Sequence, residues 1–278
     1  MTPLGGGAAG MWHTPPMIGE TLSPRPSDLD LRSRLLAEGA IFTSEWPVRG
    51  DDISHDRRLK LDGVARCLQD VGQDHLEHIG HSMIHPHWVL RRTVIEVHAV
   101  GEQPDRLTVE RWAGRTGSRW FTARVDIDGR YGTRIATEGF WINFNVDTLT
   151  PSALSEGFLQ RVGGEAIPGR LRWKKWLDPV PPATSEAVPF LLRVCDLDLN
   201  EHVNNAVYWA ALEEVLATQS DLAHRAPLRA VIEHDSPLQL ADAPRLLAHR
   251  DGDVLSAWLT VGDRTAATML VQTLPGSP

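Results

Sequence analysis

Cysteine, lysine, tyrosine and long apolar runs are all scarce in this chain of 278 residues, and each shortage excludes something. The two cysteines, Cys67 and Cys195, cannot build a disulfide framework. Both lie in apolar patterns, which predicts small buried hydrophobes in a protein of a reducing, cytoplasmic compartment. No stretch is apolar over the ~18 residues that a membrane-spanning helix requires, so the expectation is a soluble globular protein without a membrane partner. A formal net charge of −8 disfavours nucleic acid or an anionic bilayer, because both select a basic surface. Neither HExxH nor a paired Cys-His zinc pattern occurs. His75, His78, His81, His85 and His87 cluster, but only the first three share a helix face, and they read as surface or loop residues. No metal and no organic cofactor is expected.

What is present falls into two halves laid out alike. Residues 1–35, with Gly5-Gly6-Gly7, Pro15-Pro16 and Pro24-Arg25-Pro26, read as a disordered leader or an overcalled start. From Leu59 to Ile79, Leu61, Val64, Ala65, Leu68, Val71, Gly72 and Leu76 recur at helical spacing and Gly80 marks a stop. Alternating segments follow at 93–100, 107–112, 119–127 and 133–144. In the third, Phe121, Ala123, Val125 and Ile127 face one way and Trp120, Thr122, Arg124 and Asp126 the other, as in a half-buried antiparallel strand. Asp105 and Asp128-Gly129 supply turn chemistry. The second half predicts a strand at 190–195, a helix at about 204–218, then extended segments at 229–234, 244–249, 254–261 and 265–274. The order suggests duplication in an α+β protein, with an N-terminal unit at 36–164, a linker at 165–182 and a C-terminal unit at 183–278.

The segment Asp196 to Tyr208, DLDLNEHVNNAVY, crowds acid, amide and imidazole groups at the strand-to-helix junction of the second half. Asn204 or Asn205 can cap the helix, leaving its unpaired N–H groups to face a developing oxyanion. The bland reading, that Asp198, Asn200 and His202 only satisfy backbone groups, competes with this one. Cys195 is a poor candidate nucleophile in its apolar pattern.

These residues resemble the acyl-acyl carrier protein thioesterase family. Asp196-Leu197-Asp198, Asn200, His202, Val203, Asn204, Asn205, Tyr208 and Glu214 look like its DLDxNxHVNNxxYxxxxxE motif. Lys60-Leu61, Leu68-Gln69-Asp70 and His75 resemble its opening helix, and Trp88-Val89-Leu90 its WVL strand entry. The resemblance spans about Phe42 to Val261 and implies a tandem hotdog fold, two curved antiparallel sheets each wrapped around a long helix. It implies hydrolysis of a fatty acyl thioester of acyl carrier protein without a cofactor. Asn200 and His202 would orient substrate and water, Asp198 would fix or tune them, and the helix start at Asn204 and Asn205 would bind the oxyanion. A family Glu-Cys pair is expected near Pro237 and Leu238, where proline cannot serve as a base. Asp235, then Glu214, then Asp70 are the carboxylates that stand in. Trp88 and other first-half tryptophans are candidates for the acyl tunnel, and Arg170 to Trp176 for docking an acidic carrier. Monomer and homodimer are both open. The alternatives are an acyl-coenzyme A thioesterase and a non-catalytic acyl-binding protein.

Overall fold

The computed structural model describes residues 26–167 and 173–274. The first half contains helix α1 (Pro26–Ala37), β1 (Phe42–Pro47), α2 (Leu61–His78), β2 (Trp88–Ala99), β3 (Arg106–Thr116), β4 (Trp120–Gly129), β5 (Arg134–Asn145), β6 (Thr150–Pro151), α3 (Glu156–Val162) and β7 (Glu165–Ala166). The second contains β8 (Ala187–Pro189), α4 (Asn205–Ala217), α5 (Ser220–Ala223), β9 (Leu228–His234), β10 (Arg245–Asp251), β11 (Val254–Val261) and β12 (Arg264–Thr273). Each half thus presents a long helix followed by four strands.

One antiparallel sheet joins them in the order β1-β3-β4-β5-β2-β9-β12-β11-β10-β8. The seam is β2 against β9, from Arg92 opposite Glu233 to Val97 opposite Leu228. Helices α2 and α4 lie together on one side of this sheet and pack on each other. The two differ as their sequences require. Helix α2 has one buried face and ends at His78, with Ile79 as its C-cap followed by Gly80 at φ 71°, a conformation that a side chain resists. Helix α4 buries Tyr208, Trp209, Ala211, Leu212, Val215 and Leu216 around most of its circumference, as a helix enclosed by sheet and partner must. Burial of Leu212 or Leu216 contributes about 1.5–3 kcal/mol each.

Several expectations need correction. The leader expected over 1–35 lies outside the described residues up to residue 25, but from Pro26 the chain is helical, with Leu35 buried and Arg32 paired with Glu110 of β3. Strand β4 is not half-buried: Trp120 and Thr122 on its second face are covered, Trp120 stacking on Phe140 at 5.1 Å. The cover is part of the expected linker. Phe140 packs against Trp173, and Glu233 accepts the N–H groups of Trp176 and Leu177 at 3.1 and 3.0 Å. The indole N–H of Trp258 donates to the Asp178 carbonyl, so the segment 173–179 is strapped to the outer face of the sheet.

Residues 190–195 are not a strand either. Phe190 N–H donates to the Pro244 carbonyl, and the chain then turns through a short 3-10 helix at Val194–Asp196. This places Cys195 on the surface, not in the core, whereas Cys67 is buried in α2. His75, His81 and His85 are buried, against the expectation of surface or loop residues. His75 accepts from Arg111, His81 Nδ1 lies 2.7 Å from the Ile79 carbonyl, and His85 Nε2 is 3.0 Å from the Ser155 hydroxyl.

Candidate active site

The polar motif forms a closed loop that enters α4. Asp198 Oδ1 accepts the backbone N–H of Asn200 at 2.8 Å and of His202 at 3.2 Å, the turn that an aspartate makes with the residues after it. The Asp198 N–H donates to the His202 carbonyl, and Leu197 bridges Val203 as an isolated antiparallel pair. Glu201 takes a φ of 59°, the left-handed conformation that closes the turn. Asp198 therefore shapes the loop by holding backbone, and Asn200 is presented outward on it. Among the described residues, nothing hydrogen-bonds the half-buried His202 ring, so both its nitrogens are available.

Asn204 caps α4, its Oδ1 accepting the Ala206 N–H at 2.8 Å. The same amide exchanges two hydrogen bonds with Gln69 of α2, at 2.9 and 3.1 Å. The two halves are clasped at the mouth of the motif. The cap takes one of the N–H groups expected to face an oxyanion; among the described residues, the Asn205 side chain has no hydrogen-bond partner.

The floor of the corner comes from the end of β9 and the turn after it. Val203 N–H donates to the Leu238 carbonyl, and Leu238 N–H donates to the Tyr208 hydroxyl at 3.1 Å. The Tyr208 ring packs edge-on to His234, centroids 4.8 Å apart. His234 is 8% exposed, its Nε2 has no partner among the described residues, and burial together with the Arg91 charge holds its pKa down to about 3. It is a neutral imidazole beside the motif helix, and sequence reasoning missed it. The signal was there in the residues of β9, where Ile232 and His234 share the inward face while Glu233 points to the strap.

The other candidates are placed as follows. Leu238 is buried backbone support, and Pro237 is exposed in the turn. Asp235 is paired with Lys175 at 2.8 Å. Glu214 is exposed near the far end of α4, about 15 Å along the helix from its cap, so it does not join the corner. Its neighbour Glu213 points inward to Arg58 and accepts the Leu61 N–H at 2.5 Å. Asp70 follows Gln69 on the exposed flank of α2, where burial and the nearby Asp74 raise its pKa. Trp88 packs in a first-half aromatic cluster with Phe121 and Phe158 at 5.1 and 5.6 Å. Lys174 is exposed, while Arg170 and Arg172 lie outside the described residues.

A second copy of the loop precedes α2. A 3-10 helix at Gly50–Asp52 matches that at Val194–Asp196, with Asp52 accepting the Arg49 backbone N–H as Asp196 accepts that of Arg193. Ile53 bridges Leu59 as Leu197 bridges Val203, and Arg57 repeats the left-handed φ of Glu201. Ser54 Oγ accepts the Arg58 N–H at 2.9 Å, in the place of Asp198 and His202. One constant offset relates every pair, down to Gln69 and Glu213 on the facing helices. The first-half loop has Arg58 where the second has His202, and Glu213 locks that guanidinium in an ion pair.

Comparison with known proteins agrees with this architecture. The acyl-ACP thioesterase N-terminal domain profile matches residues 39–162 and the C-terminal domain profile residues 181–258. A Mycobacterium tuberculosis protein named only as uncharacterized is 39% identical over 250 residues, 90% of this chain and 98% of the relative. Oleoyl-acyl carrier protein thioesterase 1 of Arabidopsis thaliana is 25% identical over 63% of this chain, which spans 54% of that protein's length. The solved 12:0-ACP thioesterase from Umbellularia californica superposes with a TM-score of 0.70 at 19% identity, over 84% of this chain and 97% of that one, a likeness of the hotdog-like fold. With both domain profiles matched across more than half its length, the chain belongs to the acyl-ACP thioesterase family.

Proposed function

We propose that this thioester hydrolase cleaves fatty acyl-acyl carrier protein at the corner formed by the Asp198 loop, the start of α4 and the end of β9. The observation that carries the reading is the Asp198-anchored loop, which delivers Asn200 and a His202 ring with both nitrogens free to the first turn of α4. His202 takes a proton from water as its oxygen bonds the thioester carbon. The carbon–sulfur bond then breaks, and the proton passes to the departing thiolate. Asn200 orients the water or carbonyl. The N–H of Asn205, at the positive end of the helix, stabilises the oxyanion. The neutral His234 imidazole packs on Tyr208 at the floor of the corner and is no substitute for a basic carboxylate. Trp88 and its aromatic neighbours wall the acyl chain.

The repeated loop and helix support two hotdog units in one chain, divided by the strap. Since α2 already meets α4, as paired helices would across a dimer, the chain works as a monomer. The free thiol of Cys195 suits a cytosolic setting. Lys174, exposed and without an ion pair among the described residues while Lys175 holds Asp235, would meet an acidic carrier.

Thiol release from matched acyl carrier protein and coenzyme A thioesters tests the reading. His202→Ala is expected to lower kcat about 10²–10⁴-fold on the carrier substrate. Undiminished hydrolysis would overturn the site. Lys174→Glu is expected to raise KM for the carrier thioester and not for the coenzyme A thioester; equal effects would reject the docking role.

A further inference from the structure

The described residues bury three arginines almost completely, and two of them have a glutamate. Arg92 meets Glu233 at 3.0 Å and Arg229 meets Glu96 at 2.5 Å. Arg111, only 6% exposed, has no carboxylate partner among the described residues. It stands on the inward row of β3, after Leu107 and Val109 and before Ala113, where the pattern calls for an apolar side chain. Its guanidinium donates to His75 Nδ1 at 2.5 Å and lies 5.8 Å from the Phe121 ring. Burial lowers its pKa to about 10, which still leaves it cationic at neutral pH.

Every polar group of this pair that remains is a donor. His75 is neutral, held to about 3 by burial and by the Arg111 charge, and its Nδ1 accepts from Arg111. The proton of the ring therefore sits on Nε2, and the ring is stacked face to face on Phe42 at 5.1 Å. A buried cation left without an anion is costly, and an acceptor oxygen relieves that cost. Through His75 the pair shares helix α2 with the clasp at the candidate active site. Gln69, which clasps Asn204, is followed on α2 by Gly72 one turn on and by His75 about 9 Å along the axis. Gly72 has no side chain to cover the guanidinium; a Cβ there would touch Arg111 Nε and Nη2 at 4.0 Å.

We propose that Arg111 and His75 form a carboxylate-binding subsite at the inner end of the acyl path. This rests on the hydrolase reading of the corner. The carboxylate can arrive on the far end of an acyl chain, as in the thioester of a dicarboxylic acid, or as the head of a free fatty acid.

Two arms separate these sources. In the first, calorimetry compares a saturated fatty acid with its methyl ester on the full-length protein. Wild type is expected to bind the acid about tenfold more tightly, a preference lost in Arg111→Met and partly kept in Arg111→Gln. In the second, kcat/KM is measured for ω-carboxyacyl and plain acyl carrier protein of equal length. The ratio of the two is expected to fall about tenfold in Arg111→Met. Discrimination in the first arm alone assigns the subsite to free acid; in the second alone, to substrate. No discrimination in either arm, with both variants folded by circular dichroism, overturns it. If no thioester is cleaved, the hydrolase reading fails while the acid and ester comparison still reads the subsite.

Discussion

His75 and His234 are buried and neutral, each with a pKa of about 3 in the fold against about 6.5 in an open chain. Between those values the unfolded state binds protons that the native state refuses, so stability falls as pH drops from about 6.5 toward 3. Each imidazole contributes up to ~1.4 kcal/mol per pH unit to that slope. Thermal melts across this range should show Tm declining with acid, and His234→Gln should flatten the decline; an unchanged slope would mean that His234 is protonated in the fold. Asp198 allows a sharper distinction, because it acts on the Asn200 and His202 N–H groups through one oxygen. Asp198→Asn keeps an acceptor oxygen and should retain most activity, while Asp198→Ala frees the loop and should lower kcat about 10²-fold. Equal losses in thiol release would show that the charge matters and not the turn. The sequence made Asp198, Asn200 and His202 legible because they fall within five residues of unusual polarity. It hid His234 and Arg111, since a lone polar residue on an inward strand face resembles any other until its neighbours are known.

Between helices, the Asn204–Gln69 amide pair does the work of a clasp and a cap together. Loss of the cap in Asn204→Ala should cost about 1 kcal/mol, and the orphaned Gln69 amide adds to it. A double-mutant cycle with Gln69→Ala in urea unfolding should give a coupling of about 0.5–3 kcal/mol; none would mean that the clasp is solvent-replaced. Periodicity was a good guide to these helices: α2 and α4 begin and end within two residues of where spacing and Gly80 put them. It failed at 190–195, because the Phe190 and Leu192 pattern of a strand is also that of an extended approach to a 3-10 turn. Only pairing with a neighbour makes a strand, and Phe190 reaches Pro244 with a single bond.

As a whole, the molecule is held at its seam by Glu233, which meets Arg92 from the other half and two N–H groups of the strap. Glu233→Ala leaves a buried guanidinium unpaired and should cost about 3–5 kcal/mol. Because β2 and β9 share one ladder, far-UV dichroism and tryptophan fluorescence should still report a single transition, shifted to lower Tm; two separated transitions would show that the halves unfold alone. The duplicate layout was readable from the order of elements, but the repeated loop was not. Ser54, Asp56 and Arg58 differ in type from Asp198, Asn200 and His202, and only the folded loop, with Ser54 and Asp198 each accepting an N–H four residues on, reveals the likeness. That likeness has a genetic meaning. In a protein made of two identical subunits, every mutation strikes both copies of a loop at once. Here each loop has its own codons, so Arg58 could settle into an ion pair with Glu213 while His202 was kept free, and one loop can go on drifting without harm to the other.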